Sequence, residues 1–112
     1  MQKVSLVEVS AELMMAARAS SAGRSGKTIH GGPDHALRQT LLALVEGAAL
    51  GEHESPGEAN LYVISGQVRL RAGDEAIEAR AGDFLEIPPA RHDLAALEDS
   101  VVLLSVVSKA RG

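Results

Sequence analysis

The chain has 112 residues, which is enough for one domain built around a single hydrophobic core. Its net charge of −4 and its aromatic content of 2% argue against nucleic-acid binding, which depends on basic patches and stacking rings. The chain contains no cysteine, and this excludes disulfides, thiolate metal sites and a cysteine nucleophile.

The N-terminal segment predicts an α-helix over residues 5–20. Ser5 and Glu8 fit a capping box, in which the serine oxygen accepts a free backbone N–H and the glutamate reaches back. Apolar residues such as Val9 and Leu13 recur at spacings of three and four, which gives one apolar stripe. Because acidic residues interrupt the apolar ones, the segment is neither a signal peptide nor a membrane span, and we expect a cytoplasmic protein.

The rest of the chain predicts an all-β domain over residues 25–112, preceded by a helical arm over residues 1–24. Short apolar or alternating runs, separated by Gly-, Pro- and Asp-containing turns, are typical of a sandwich or barrel. Residues 37–45 are rich in good helix formers, but the strand context around them favours a strand. The other predicted strands are 27–30, 61–65, 68–72, 76–80, 84–87, 93–97 and 101–107.

Two turns rich in Gly, Pro or Ser each carry one histidine. In residues 47–66, a glycine is followed after five residues by His53, and an apolar strand then ends on a glycine. In residues 82–92, a glycine is followed after five residues by Pro88 and then by His92. The order and spacing of these turns resemble the two motifs of the cupin superfamily.

The resemblance covers roughly residues 36–108 and implies a small single-domain cupin, commonly a homodimer. The implied fold is a cupin double-stranded β-helix, or jelly-roll barrel, over residues 25–112 with an N-terminal α-helix before it. The run Val101–Val107 is apolar on both faces. One face is therefore expected to pack inside the barrel, and the other to be covered by the helix or by a partner subunit.

The first motif is degenerate in this chain. In metal-binding cupins, two histidines and a glutamate from the first motif and one histidine from the second hold a divalent transition metal such as Fe, Mn, Ni or Zn. Here Ser55 stands at the second histidine position and Ala59 at the glutamate position. Two histidines are too few for a tight site, so a glutamate from a bulged loop or an upstream histidine would have to complete it. The candidate metal ligands are His53, His92, Glu58 and His30.

Loss of two ligand positions favours a binding module, with a small apolar or weakly acidic molecule in the barrel and a sensing or accessory role. The alternative is a metal-dependent enzyme of the isomerase or dioxygenase type acting on a small metabolite. A third possibility is a filled barrel that serves only for dimerisation. Glu86 is interpreted as solvent-facing rather than as a polar wall of the lumen. The expected ligand-pocket residues are His53, His92, Tyr62 and Glu58.

Overall fold

The computed structural model describes residues 1–52 and 57–108, and over these residues it consists of one helix followed by eight strands. The helix, α1, spans Leu6–Ala19. The strands are β1 (Arg24–His30), β2 (Leu37–Leu44), β3 (Gly57–Ser65), β4 (Gln67–Ala72), β5 (Glu75–Arg80), β6 (Phe84–Glu86), β7 (Asp93–Ala96) and β8 (Ser100–Ser108). In these two described ranges, no helix is both long and apolar enough to cross a membrane.

The strands form two antiparallel sheets that enclose the core. The larger sheet has the order β1-β2-β8-β3-β6 and the smaller one the order β5-β4-β7. Leu61 and Val102 of the larger sheet share one buried cluster with Val68 and Leu94 of the smaller sheet. The expected all-β jelly roll is therefore confirmed. Strand β2, whose composition favours a helix, is a strand because it pairs with β1 on one side and β8 on the other.

Helix α1 covers the outer face of the larger sheet. Ser5 caps it, with the Glu8 backbone N–H donating to the serine Oγ at 3.2 Å, so the expected start of the helix is confirmed. Its buried stripe, which includes Leu13 and Ala17, packs against Leu41 of β2 and neighbouring apolar residues. The helix adds a third layer to the two sheets, and this layer leaves β3 and β6 partly uncovered.

Strand β8 lies at the centre of the larger sheet, between β2 and β3. Alternation along the strand directs Val102 into the barrel, where it is fully buried, and directs Val101 toward α1. From the sequence, either the helix or a partner subunit was expected to cover the second apolar face of this strand. In the structure, α1 covers that face over the first part of the strand.

Candidate functional site

The second histidine turn lies at the end of the barrel where strand β3 begins. Strand β3 begins there at Gly57, and β6 ends there, because Glu86 pairs with Asn60 near the start of β3. The segment that follows β6 carries the second histidine, His92, immediately before β7. We call this end the mouth of the barrel. His53 lies outside the described residues, in the segment that leads into β3.

His92 is a buried ionisable side chain at the mouth, with only 4% of its surface exposed. Its Nδ1 lies 2.9 Å from the backbone carbonyl oxygen of Ala90. A carbonyl oxygen can only accept, so Nδ1 of His92 donates this hydrogen bond. This hydrogen bond fixes the ring within the turn that follows Pro88, and His92 is therefore a preoriented polar group rather than a mobile surface histidine.

An ion pair links the two turns. Arg91, immediately before His92, places its Nε 2.9 Å from Oε1 of Glu52, immediately before His53. Both side chains are more than half exposed, so the pair contributes at most about 1 kcal/mol to stability. Its effect is positional, because it joins the chain at Glu52 to the segment that carries His92.

Strand β3 directs two of the predicted pocket residues away from the barrel interior. Leu61 is buried in the core and its neighbour Tyr62 is 43% exposed, so alternation places the tyrosine on the outer face. Glu58 is exposed and has the same parity as Tyr62. The bulge that would be needed to turn Glu58 inward is absent from the described strand, since its pairing with β8 is regular from Gly57 to Val63. Neither side chain reaches the lumen.

The remaining predicted ligand, His30, ends β1 at an exposed position. Its ring packs against that of His35, with the two centroids 4.7 Å apart and the rings tilted by 37°. Across residues 1–52 and 57–108, no group of three or more metal-binding side chains comes together. The donors within these ranges therefore do not fit a metal centre, and we derive no metal-dependent step from them.

A pocket of about 630 Å³ opens between the β4–β5 hairpin and the segment that follows β6. Its apolar lining residues are Leu70, Ala72, Ala76, Ile77 and Pro88, and its acidic ones are Asp74, Glu75 and Glu86. Of the predicted pocket residues within the described ranges, His92, Tyr62 and Glu58, none is among them. Glu86, interpreted from the sequence as solvent-facing, is exposed and also borders this pocket.

The signal for this pocket in the sequence is the alternation of β5. Ile77 stands between Ala76 and Glu78 and pairs with Leu70 of β4, so it shares the inner face of the smaller sheet. It is nevertheless 53% exposed. The sequence predicted a strand over residues 76–80, but not that this strand lies at the edge of the smaller sheet.

Comparison with known proteins supports the fold and leaves the chemistry open. A family model described as "Cupin domain" matches residues 40–107. A search of curated proteins found no match. A conserved protein of unknown function from Streptococcus pyogenes is 26% identical, with a TM-score of 0.73 and coverage of 82% of this chain and 80% of that one.

Two further solved structures share the fold at lower identity. A cupin superfamily protein from Desulfitobacterium hafniense is 16% identical, with a TM-score of 0.71 over 77% of this chain and 78% of that one. An acetylacetone dioxygenase from Acinetobacter johnsonii is 15% identical, with a TM-score of 0.68 over 78% of this chain and 61% of that one. At these identities the likeness is one of fold alone, and the structures include both an enzyme and proteins of unknown function.

Proposed function

The chain belongs to the cupin domain family, and on that premise we propose that its barrel binds a small molecule in the pocket beside the mouth. The observation that carries the proposal is the pocket itself, which lies between the β4–β5 hairpin and Glu86. Its volume of about 630 Å³ falls within the range of about 300–1,000 Å³ that is usual for small-molecule sites. An accessory or sensing role is consistent with such a site.

The pocket continues from the apolar interior of the barrel. Leu70 belongs to the buried core and also lines the pocket, so the two share a wall. Ile77 has the inner-face parity of the core residue Ala79, yet more than half of its surface is exposed. Full burial of such a side chain is worth about 1.5–3 kcal/mol. A ligand that covers the exposed part of Ile77 would therefore gain about 1 kcal/mol.

His92 supplies a fixed polar group that lies close in sequence to a strand beside the pocket. It precedes β7, in which Leu94 is the cross-strand partner of the pocket residue Leu70. We include His92, together with His53 in the segment outside the described residues, as the polar groups of the mouth. Tyr62 and Glu58 are removed from the proposed site because they lie on the outer face of β3.

The metal-dependent enzyme remains the competing proposal. It rests on His53 and His92 as metal ligands, and the described residues supply no group of three metal-binding side chains that would complete such a site. Elemental analysis by mass spectrometry of protein purified without a histidine tag, alongside His53→Ala and His92→Ala, decides between the two. Near-stoichiometric Fe, Mn, Ni or Zn that is lost in both variants would favour the enzyme. We expect no such stoichiometric metal.

Binding is tested with 1-hexanol as a neutral apolar probe, followed by two-dimensional amide NMR of the full chain. We expect saturable shifts at the amides of β4 and β5, and an affinity about fivefold lower in Ile77→Ser, which corresponds to the 1 kcal/mol above. Val7→Ser, at an exposed valine on α1, is the matched control and should bind as the wild type does. Absence of saturable binding, or equal loss in both variants, contradicts the proposal.

A further inference from the structure

We infer that the ligand of this pocket carries a positive charge next to its apolar part, as an alkylammonium group does. The inference rests on the proposed function, because it names the chemical class that the same pocket would select. The sequence suggested an apolar or weakly acidic molecule for the barrel. The residues around the pocket indicate the opposite charge.

Among the described residues that line the pocket, every ionisable side chain is acidic. Asp74 and Glu75 come from the turn and first residue of the β4–β5 hairpin, and Glu86 comes from the end of β6 across the opening. The acidic residues therefore belong to two separate segments on opposite sides of one cavity. Among the described residues, no lysine, arginine or histidine lines this pocket.

The basic residues of the same hairpin project from the other face of the sheet. Leu70 and Ala72 line the pocket, so the alternating residues Arg69 and Arg71 of β4 point away from it. Arg69 is occupied on that outer face, where its guanidinium pairs with the Glu78 carboxylate at 2.6 Å. Neither arginine is among the described residues that line the pocket.

The three carboxylates of the pocket are also outside the ion pairs of the described structure. Those pairs join Arg18 to Asp99, Arg69 to Glu78 and Arg91 to Glu52. An anionic ligand would meet three negative charges with no counter-charge, whereas an ammonium group would relieve their mutual repulsion.

The apolar wall, rather than the acidic residues, makes this a site. Glu75 has the same parity on β5 as Ile77, so a carboxylate and an uncovered aliphatic side chain lie side by side on the inner face. A ligand that places a short alkyl chain over Ile77 brings its charged end toward Glu75 or Glu86. This pairing of apolar and acidic groups selects a cationic amphiphile of small size.

The test compares three probes with the same six-carbon chain at neutral pH: hexylammonium, 1-hexanol and hexanoate. We expect hexylammonium to bind the full chain about tenfold more tightly than 1-hexanol at low ionic strength, and hexanoate to bind more weakly than either. High salt should reduce the preference, because the carboxylates are exposed. Amide NMR titration gives the affinities and locates the site.

The charge preference is then assigned with variants that each remove one negative charge. Glu75→Gln and Glu86→Gln should each lower the affinity for hexylammonium about threefold while leaving that for 1-hexanol unchanged. Glu12→Gln, at an exposed position of α1, is the matched control and should change neither. Binding of 1-hexanol with no preference for hexylammonium overturns this inference and leaves the proposed function standing. Failure of all three probes to bind overturns both.

Discussion

The two glycines that bound the first histidine turn offer the sharpest test of what holds the barrel together. Gly47 and Gly66 both have a positive φ, of +86° and +85°. A Cβ at Gly47 would meet nothing within 4 Å. A Cβ at Gly66 would collide with the Ser100 Oγ and the Asp99 carbonyl oxygen. The pair therefore separates backbone strain from packing within one motif.

Gly47→Ala should cost only the strain of an L residue with positive φ, about 1–2 kcal/mol of the free energy of unfolding. Gly66→Ala should add the displacement of Ser100, whose fully buried Oγ accepts the Gln67 backbone N–H at 3.0 Å. Leaving such a buried group without its partner costs about 1–3 kcal/mol more. We expect a total loss of about 2–5 kcal/mol, a large part of the stability of a domain of this size.

Urea denaturation of both variants, followed by far-ultraviolet circular dichroism, measures the two losses. The reasoning predicts that Gly66→Ala loses at least 1 kcal/mol more than Gly47→Ala, since the strain is common to both. Equal losses would show that the contact with Ser100 relaxes without cost, and would refute the argument. A change in the m-value of one variant alone would mean that its denatured state differs, so only midpoints at equal m-values are compared.

Three other predictions concern the core, the outer face of the larger sheet and the carboxylate of Asp99. Val102→Lys should prevent folding, because it buries a charge without a partner between the two sheets, and a folded circular dichroism spectrum would contradict this assignment. We expect a homodimer whose interface uses Tyr62 and Phe84, a cross-strand pair on the outer face that is 43% and 58% exposed. Replacing both residues with lysine should give a monomer in light scattering. An unchanged mass would place the interface elsewhere. The pKa of Asp99 is lowered by the backbone N–H of Glu46 and by an arginine of α1. The ionised Asp99 carboxylate therefore stabilises the fold fully above its ordinary pKa of 3.8, and this stabilisation is lost as the pH falls through the lower pKa of the folded state. In urea titrations, Asp99→Asn should reduce the slope of the free energy of unfolding against pH below about 4.

The strands and helix could be predicted from the sequence because their signals are local. The cap at Ser5 and the alternation of β4 both fix an element without reference to the rest of the chain. Strand β2 needed more, because its residues favour a helix and only the neighbouring strands overrule them. The boundaries of most strands lie within one residue of those expected, whereas β1 and β3 begin earlier.

The site was predicted less well, because the alternation of side chains along a strand, rather than their distance along the chain, decides which of them reach the interior. Tyr62 lies close to the first motif, but the run from Leu61 to Ile64 is apolar on both faces, so alternation alone could not assign its direction. The pocket lies in a gap to which the edge strands β5 and β6 both contribute lining residues. No local pattern encodes that gap, and Ile77 therefore attracted no attention in the sequence.

The degenerate motif has glycines at its structural positions but lacks two of its three ligands, and the structure gives a reason for the difference at one of them. Gly66 is required by the close approach of Ser100, so barrel closure depends on it directly. Ala59 stands where the motif has a glutamate, and it is buried on the inner face of β3 in regular pairing with β8. A carboxylate there would be desolvated, which is costly unless a cation holds it. Alanine removes that cost and leaves an apolar wall at this position.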